Sequence, residues 1–85
     1  MVLSFRSAKK IDRRHFRMAR SGLGLSIREL AKLSGLNKAT IVRLEAGTSV
    51  RSSTIAAVRQ LLESRGAEFL SCDQKGRVAV SIKRD

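Results

Sequence analysis

The 85-residue sequence has no proline, tryptophan or tyrosine, and only one cysteine and one histidine. Each scarcity closes off a class of chemistry. A lone cysteine, Cys72, allows no internal disulfide, and one thiol with one imidazole is too few for a structural zinc site. No metal is therefore expected, and at this length the core is too slight to enclose a cofactor, so none is expected either. Without proline there is no rigid linker, and no repeat or low-complexity stretch marks a domain boundary. No apolar run approaches the roughly 20 residues of a membrane-spanning helix, and the apolar part of MVLSFRSAKK is shorter than a signal-peptide core. Acidic residues are sparse too, seven against eighteen Lys plus Arg. They are scattered, and no Gly-rich phosphate loop accompanies them. Nothing converges as a catalytic site must, so no enzymatic activity is expected.

What is present is positive charge, a formal +11 with a pI near 11.6. That excess works against a compact fold by self-repulsion, and a polyanionic partner is its natural counterpart. A hydrophobic content of 42% speaks against a disordered basic tail. Three phenylalanines, Phe5, Phe16 and Phe69, are few for stacking on unpaired RNA bases. A single domain of mainly α class is expected, cytoplasmic, with Cys72 buried or half-buried as a structural residue.

Residues 1–10 read as a basic arm with Val2, Leu3 and Phe5 as its apolar part. Asp12 can cap a helix over 12–22, with Phe16, Ala19 and Leu23 on one face. Ser26 and Glu29 form a capping box for a helix over 26–34, carrying Ile27, Leu30 and Ala31 and ending at Ser34-Gly35. Asn37 can cap a third helix over 37–46, with Ile41 and Leu44, which stops at Gly47. Ser53 can cap a fourth over 53–65, with Ile55, Val58, Leu61 and Leu62 as its stripe. After Gly66 the apolar period changes. AEFLSC and RVAVSI, separated by DQKG, predict a β-hairpin over 67–72 and 77–82. His15, within DRRHFR, reads as an exposed helix residue.

Two short helices joined by a glycine turn can offer the second helix to a groove while the first braces it. The span GLGLSIRELAKLSGLNKATIVRLEAG resembles the Xre family, the helix-turn-helix domains of phage Cro and lambda-type repressors. Its distinctive parts are Leu25-Ser26, Glu29-Leu30-Ala31, Gly35-Leu36, Thr40-Ile41, and Leu44-Glu45 followed by Gly47. The resemblance covers residues 12 to 65. It implies a lambda-repressor-like bundle of four helices, here with a C-terminal hairpin, in a prokaryotic or phage regulator that binds double-stranded DNA.

The resemblance also implies roles. The helix from Asn37 to Glu45 becomes the recognition helix, with Lys38, Ala39, Thr40 and Arg43 at base edges. Lysine and arginine donate to guanine O6 and N7, and an alanine methyl can touch a thymine methyl. Ser26, Arg28, Asn37, Ser49, Arg51 and Ser53 would meet phosphates, with Ser53 equally suited to capping its own helix. Arg20 and Glu45 match positions that the family pairs as a structural ion pair. Two positions depart from the family pattern. Ile27 stands where a backbone-contacting glutamine is usual, and Leu33 stands where a polar residue is usual.

A single recognition helix reads few base pairs, so a homodimer on a near-palindromic operator is expected, autoregulatory in function. The hairpin is the expected interface, with Val78, Val80, Ile82 and Phe69 across a two-fold axis and β-edge pairing to cover the last strand. The alternative function is an antitoxin that neutralises a protein toxin and represses its own operon. Neither reading involves a membrane.

Overall fold

A computed structural model describes residues 5–8, 10–72 and 76–83, apart from the side chain of Cys72. The order is β1 (Arg6–Ser7), α1 (Arg13–Gly22), α2 (Ile27–Ser34), α3 (Lys38–Ala46), α4 (Ser52–Ser64), β2 (Ala67–Cys72) and β3 (Arg77–Ile82). The expected four helices and hairpin are all there, each helix boundary within one residue of the expectation. The reading of Cys72 as a buried side chain, and those of Val2 and Leu3, lie outside the described residues.

Side-chain caps start three of the helices. The Asp12 carboxylate accepts from the Arg14 N–H at 2.8 Å. Ser26 and Glu29 exchange side chain and backbone hydrogen bonds at 3.0 and 2.9 Å. Asn37 accepts from the Ala39 N–H at 3.1 Å. α4 corrects the expectation. Its cap position is Arg51, with no side-chain cap, and Ser53 lies inside the first turn. A second device explains where it starts. Val50 just before the cap and Ile55 five residues on both pack against the core, the spacing of a hydrophobic staple. Ile11 with Phe16, Leu25 with Leu30, and Leu36 with Ile41 repeat that spacing at the other three helices, and all six pack in the same cluster.

The three strands form one antiparallel sheet in the order β1-β2-β3. Phe69 pairs with Val80 and Ala67 with Ile82, so these four share a face. That face turns inward. Phe69 is fully buried, 6.1 Å from the Phe16 ring and 5.7 Å from His15 between centroids, with the Arg59 guanidinium 5.6 Å over it. Val80 and Ile82 pack half-buried on the same core, and Val78 is half-buried. Phe69, expected at the interface, has its side chain covered by α1 and α4 of its own chain. The hairpin's apolar face closes the chain's own core.

His15 is a second correction. It is fully buried, not exposed. Its Nδ1 accepts from the Asp12 N–H at 2.9 Å, which leaves Nε2 to donate to the Leu70 carbonyl at 2.7 Å. One side chain thus ties the start of α1 to β2. On the arm, the strand that joins the sheet is Arg6–Ser7, opposite Ser71 and Leu70, and Phe5 beside it is exposed.

Candidate nucleic-acid interface

The arrangement of α2 and α3 follows from one backbone conformation. Gly35 ends α2 with φ +69°, its N–H directed to the carbonyls of Ala31 and Lys32. A side chain there would meet open space, so what the position requires is the left-handed backbone itself. The next residue, Leu36, donates to Ala31 O at 3.0 Å and packs half-buried, which turns the chain into α3. Ile27 packs against the core as well. Its side chain is occupied as an aliphatic core residue, which accounts for a non-polar residue at a position where the resemblance suggests glutamine.

Leu30 and Ala31 on α2, with Ile41 and Leu44 on α3, anchor both helices. An ion pair then fixes α3 against α1. Arg20 Nε and Nη2 donate to the two Glu45 oxygens at 2.6 and 3.0 Å, and Arg20 Nη1 donates to Leu25 O at 3.0 Å. The pair is nearly enclosed, with side-chain exposures of 16% and 9%. The neighbouring Glu45 carboxylate holds the Arg20 guanidinium above its ordinary range. A forked contact of this kind sets orientation as well as distance. It also neutralises an acid that would otherwise repel a polyanion.

Anchoring one side of α3 determines the other. Lys38, Ala39, Val42, Arg43 and Ala46 are all exposed. Ala39, Val42, Arg43 and Ala46 follow the i, i+3, i+4, i+7 spacing of one helical face, and Lys38 opens the helix beside them. Thr40 is half-buried and lies towards the loop after α3. There Thr40, Arg43, Ser49, Val50, Arg51 and Thr54 line an open cleft of about 420 Å³. Arg43 Nη2 donates to Ser49 O at 3.4 Å, a long contact that bends the guanidinium over the cleft. Ser49 and Arg51 are exposed on its lining, Ser53 is exposed in the first turn of α4, and that helix starts with no side chain capping its first N–H groups.

The start of α2 lies at the other end of the site, with Ser26 and Arg28 exposed. The Ser26 hydroxyl oxygen accepts from Glu29 N–H, so its own proton stays available, while the N–H groups of Ile27 and Arg28 lack side-chain partners among the described residues. The hydrogen bond from the Ser26 N–H lowers the pKa of Glu29 and keeps it ionised. Asn37 is exposed and caps α3 through Oδ1, so its amide N–H groups are not used in the cap.

Two contributors escape a reading of the sequence. Val42 carries no charge or polar group that would mark it, yet the burial of Ile41 and Leu44 places it outward. Arg13, on α1, donates from Nη1 to Ala46 O at 3.3 Å and lies across the C-terminus of α3. A cation there complements the helix dipole. Its position 33 residues away along the chain hides it from any local pattern.

A family model described as helix-turn-helix matches residues 16–69. A protein of Archaeoglobus fulgidus, whose name proposes an HTH-type transcriptional regulatory role, is 36% identical over 53 residues. The match covers 62% of this chain and 17% of that relative, so the chain spans only a small part of the protein it resembles.

Proposed function

The chain belongs to the helix-turn-helix family, and from that premise we propose that it is a sequence-specific double-stranded DNA-binding transcriptional regulator, dimeric on a near-palindromic operator and controlling its own gene. The observation that carries this reading is the outward face of α3. Lys38, Ala39 and Arg43 stand exposed on a helix that the Arg20–Glu45 pair holds in place. The major groove of B-DNA, about 12 Å wide, admits one such helix. The cleft beneath Arg43, with Arg51 and the uncapped start of α4, then faces the phosphates, as does the start of α2 with Ser26, Arg28 and Asn37. A formal charge of +11 supplies the sequence-independent attraction.

The test is selection of bound duplexes from a random library, followed by titration and footprinting on the promoter of the protein's own gene. With Arg43 bidentate to a guanine, Arg43→Ala costs about 1–3 kcal/mol and relaxes preference at one base pair. Arg51→Ala weakens binding to all sequences alike and lowers the salt slope by about one unit. Unchanged affinity and preference in Arg43→Ala would take α3 out of the groove.

A further inference from the structure

Val42 is the most exposed of the large apolar side chains among the described residues, at 46%. From Ile27 to Leu44, every other aliphatic residue larger than alanine except Leu33 packs on the core. Val42 does not, because Ile41 and Leu44 on either side of it fill the inward face of α3. A β-branched residue at an exposed helical site is a poorer helix former than alanine, and here it gains no packing in return. The centre of the outward face is thus apolar, made by Ala39, Val42 and Ala46, with the cations Lys38 and Arg43 beside it.

Base-pair edges in the major groove present donors and acceptors almost throughout. Their apolar feature is the methyl group on pyrimidine C5. We propose that Val42 is a specificity-determining side chain that reads a C5-methyl pyrimidine, either thymine or 5-methylcytosine. The inference rests on the placement of α3 in the groove. Valine is short and carries two methyl groups on a stiff χ1, so it samples one step of the groove floor with little rotamer freedom to lose. Arg43, longer and charged, would read its own base independently from the same face.

The experiment uses the full chain and duplexes carrying the sequence enriched from a random library, with affinity read by fluorescence anisotropy. Each thymine is replaced in turn by deoxyuridine, which removes only the methyl group. The wild-type protein is expected to lose about fourfold at one position, the worth of one buried methyl-sized group. Val42→Ala, which keeps the helix, binds the thymine and deoxyuridine duplexes equally, and Val42→Ile restores the discrimination. Placing 5-methylcytosine or cytosine at that step separates the two sources, since a gain on methylation that exceeds the thymine effect assigns the natural ligand to 5-methylcytosine. A methyl effect that survives in Val42→Ala would hand the contact to Ala39 and overturn the assignment. A sequence preference with no methyl effect anywhere would overturn it as well. An absence of any enriched sequence would instead fail the regulator reading itself, a result distinct from both.

Discussion

His15 has both ring nitrogens committed, one accepting from Asp12 N–H and the other donating to Leu70 O, inside a fully buried site. His15→Leu keeps most of the bulk but leaves both backbone groups without partners. The expected loss is about 1–3 kcal/mol in urea unfolding, because a buried polar group without a partner forfeits its hydration. A loss within experimental error would mean that water replaces the ring. Asp12 next to it gives a prediction in pH. Hydrogen bonds from the Arg14 side chain, and then from the Arg14 backbone, hold its pKa down from 3.8 to about 2. A carboxylate depressed in the folded state adds stability above its unfolded value, and loses it as pH falls towards the folded one. Asp12→Asn keeps a cap acceptor without the charge. The wild-type advantage over Asp12→Asn is therefore present at pH 6, shrinks below about pH 4 and is lost as pH falls through about 2. The side chain is 35% exposed, so the advantage is small, about 0.5 kcal/mol after solvent screening. Denaturation midpoints of the two proteins at pH 6 and pH 2 measure it directly.

Helix ends separate what the sequence makes legible from what it hides. The capping box Ser26/Glu29, the cap at Asn37 and the stops at Gly35 and Gly47 are contacts within a few residues, and each stands where local pattern places it. The start of α4 does not, since the Val50–Ile55 staple overrides the better capping residue Ser53. His15, Arg13 and Phe69 are hidden for a related reason. Their partners lie on distant elements, and alternation in a strand tells inner face from outer without telling which body supplies the cover. The expected Arg20–Glu45 pair lies 25 residues apart, and only the family resemblance points to it. The two glycine stops also differ in a testable way. Both take positive φ, but a Cβ at Gly47 would lie 2.8 Å from Arg13 Cδ, whereas one at Gly35 meets nothing. Gly35→Ala should cost about 1–2 kcal/mol from the backbone alone. Gly47→Ala should cost more, because it also displaces Arg13 from the end of α3. In the Arg13→Ala background the two alanine substitutions should converge, as read from thermal or urea unfolding. Equal costs in the wild-type background would show that the Arg13 side chain moves aside freely.

For the whole molecule, charge and the sheet edge act in opposite directions. β2 is the central strand, and among the described residues nothing pairs with the far edge of β3. That edge runs Arg77–Ile82, and from Val78 to Ile82 it holds no charge and no proline to discourage a second strand. With Val78, Val80 and Ile82 half-buried and Val80 and Ile82 packed on the core, a partner copy would be held by backbone hydrogen bonds, not by an apolar face. Two copies at +11 repel each other, so free dimer should be weak at low salt and strengthen as salt screens the charge. DNA binding has the reverse salt dependence. A palindromic duplex would offset the repulsion and assemble the pair upon itself, with half-sites about one helical turn apart. Removing β3 altogether would also expose the core that Val80 and Ile82 cover, so substitution is the cleaner test. Ala79 and Ser81 lie on the opposite face of β3 from that core. Ala79→Lys with Ser81→Lys places two cations along the edge and should leave the fold intact by circular dichroism. Sedimentation should then give a monomer at every salt concentration, and gel shifts should show one copy bound to a half-site with the cooperative species lost. A variant that stays dimeric with full affinity for the palindrome would move the interface away from the sheet edge. The groove lined by Leu33, Ala57 and Leu61 between α2 and α4 would then be the next surface to test.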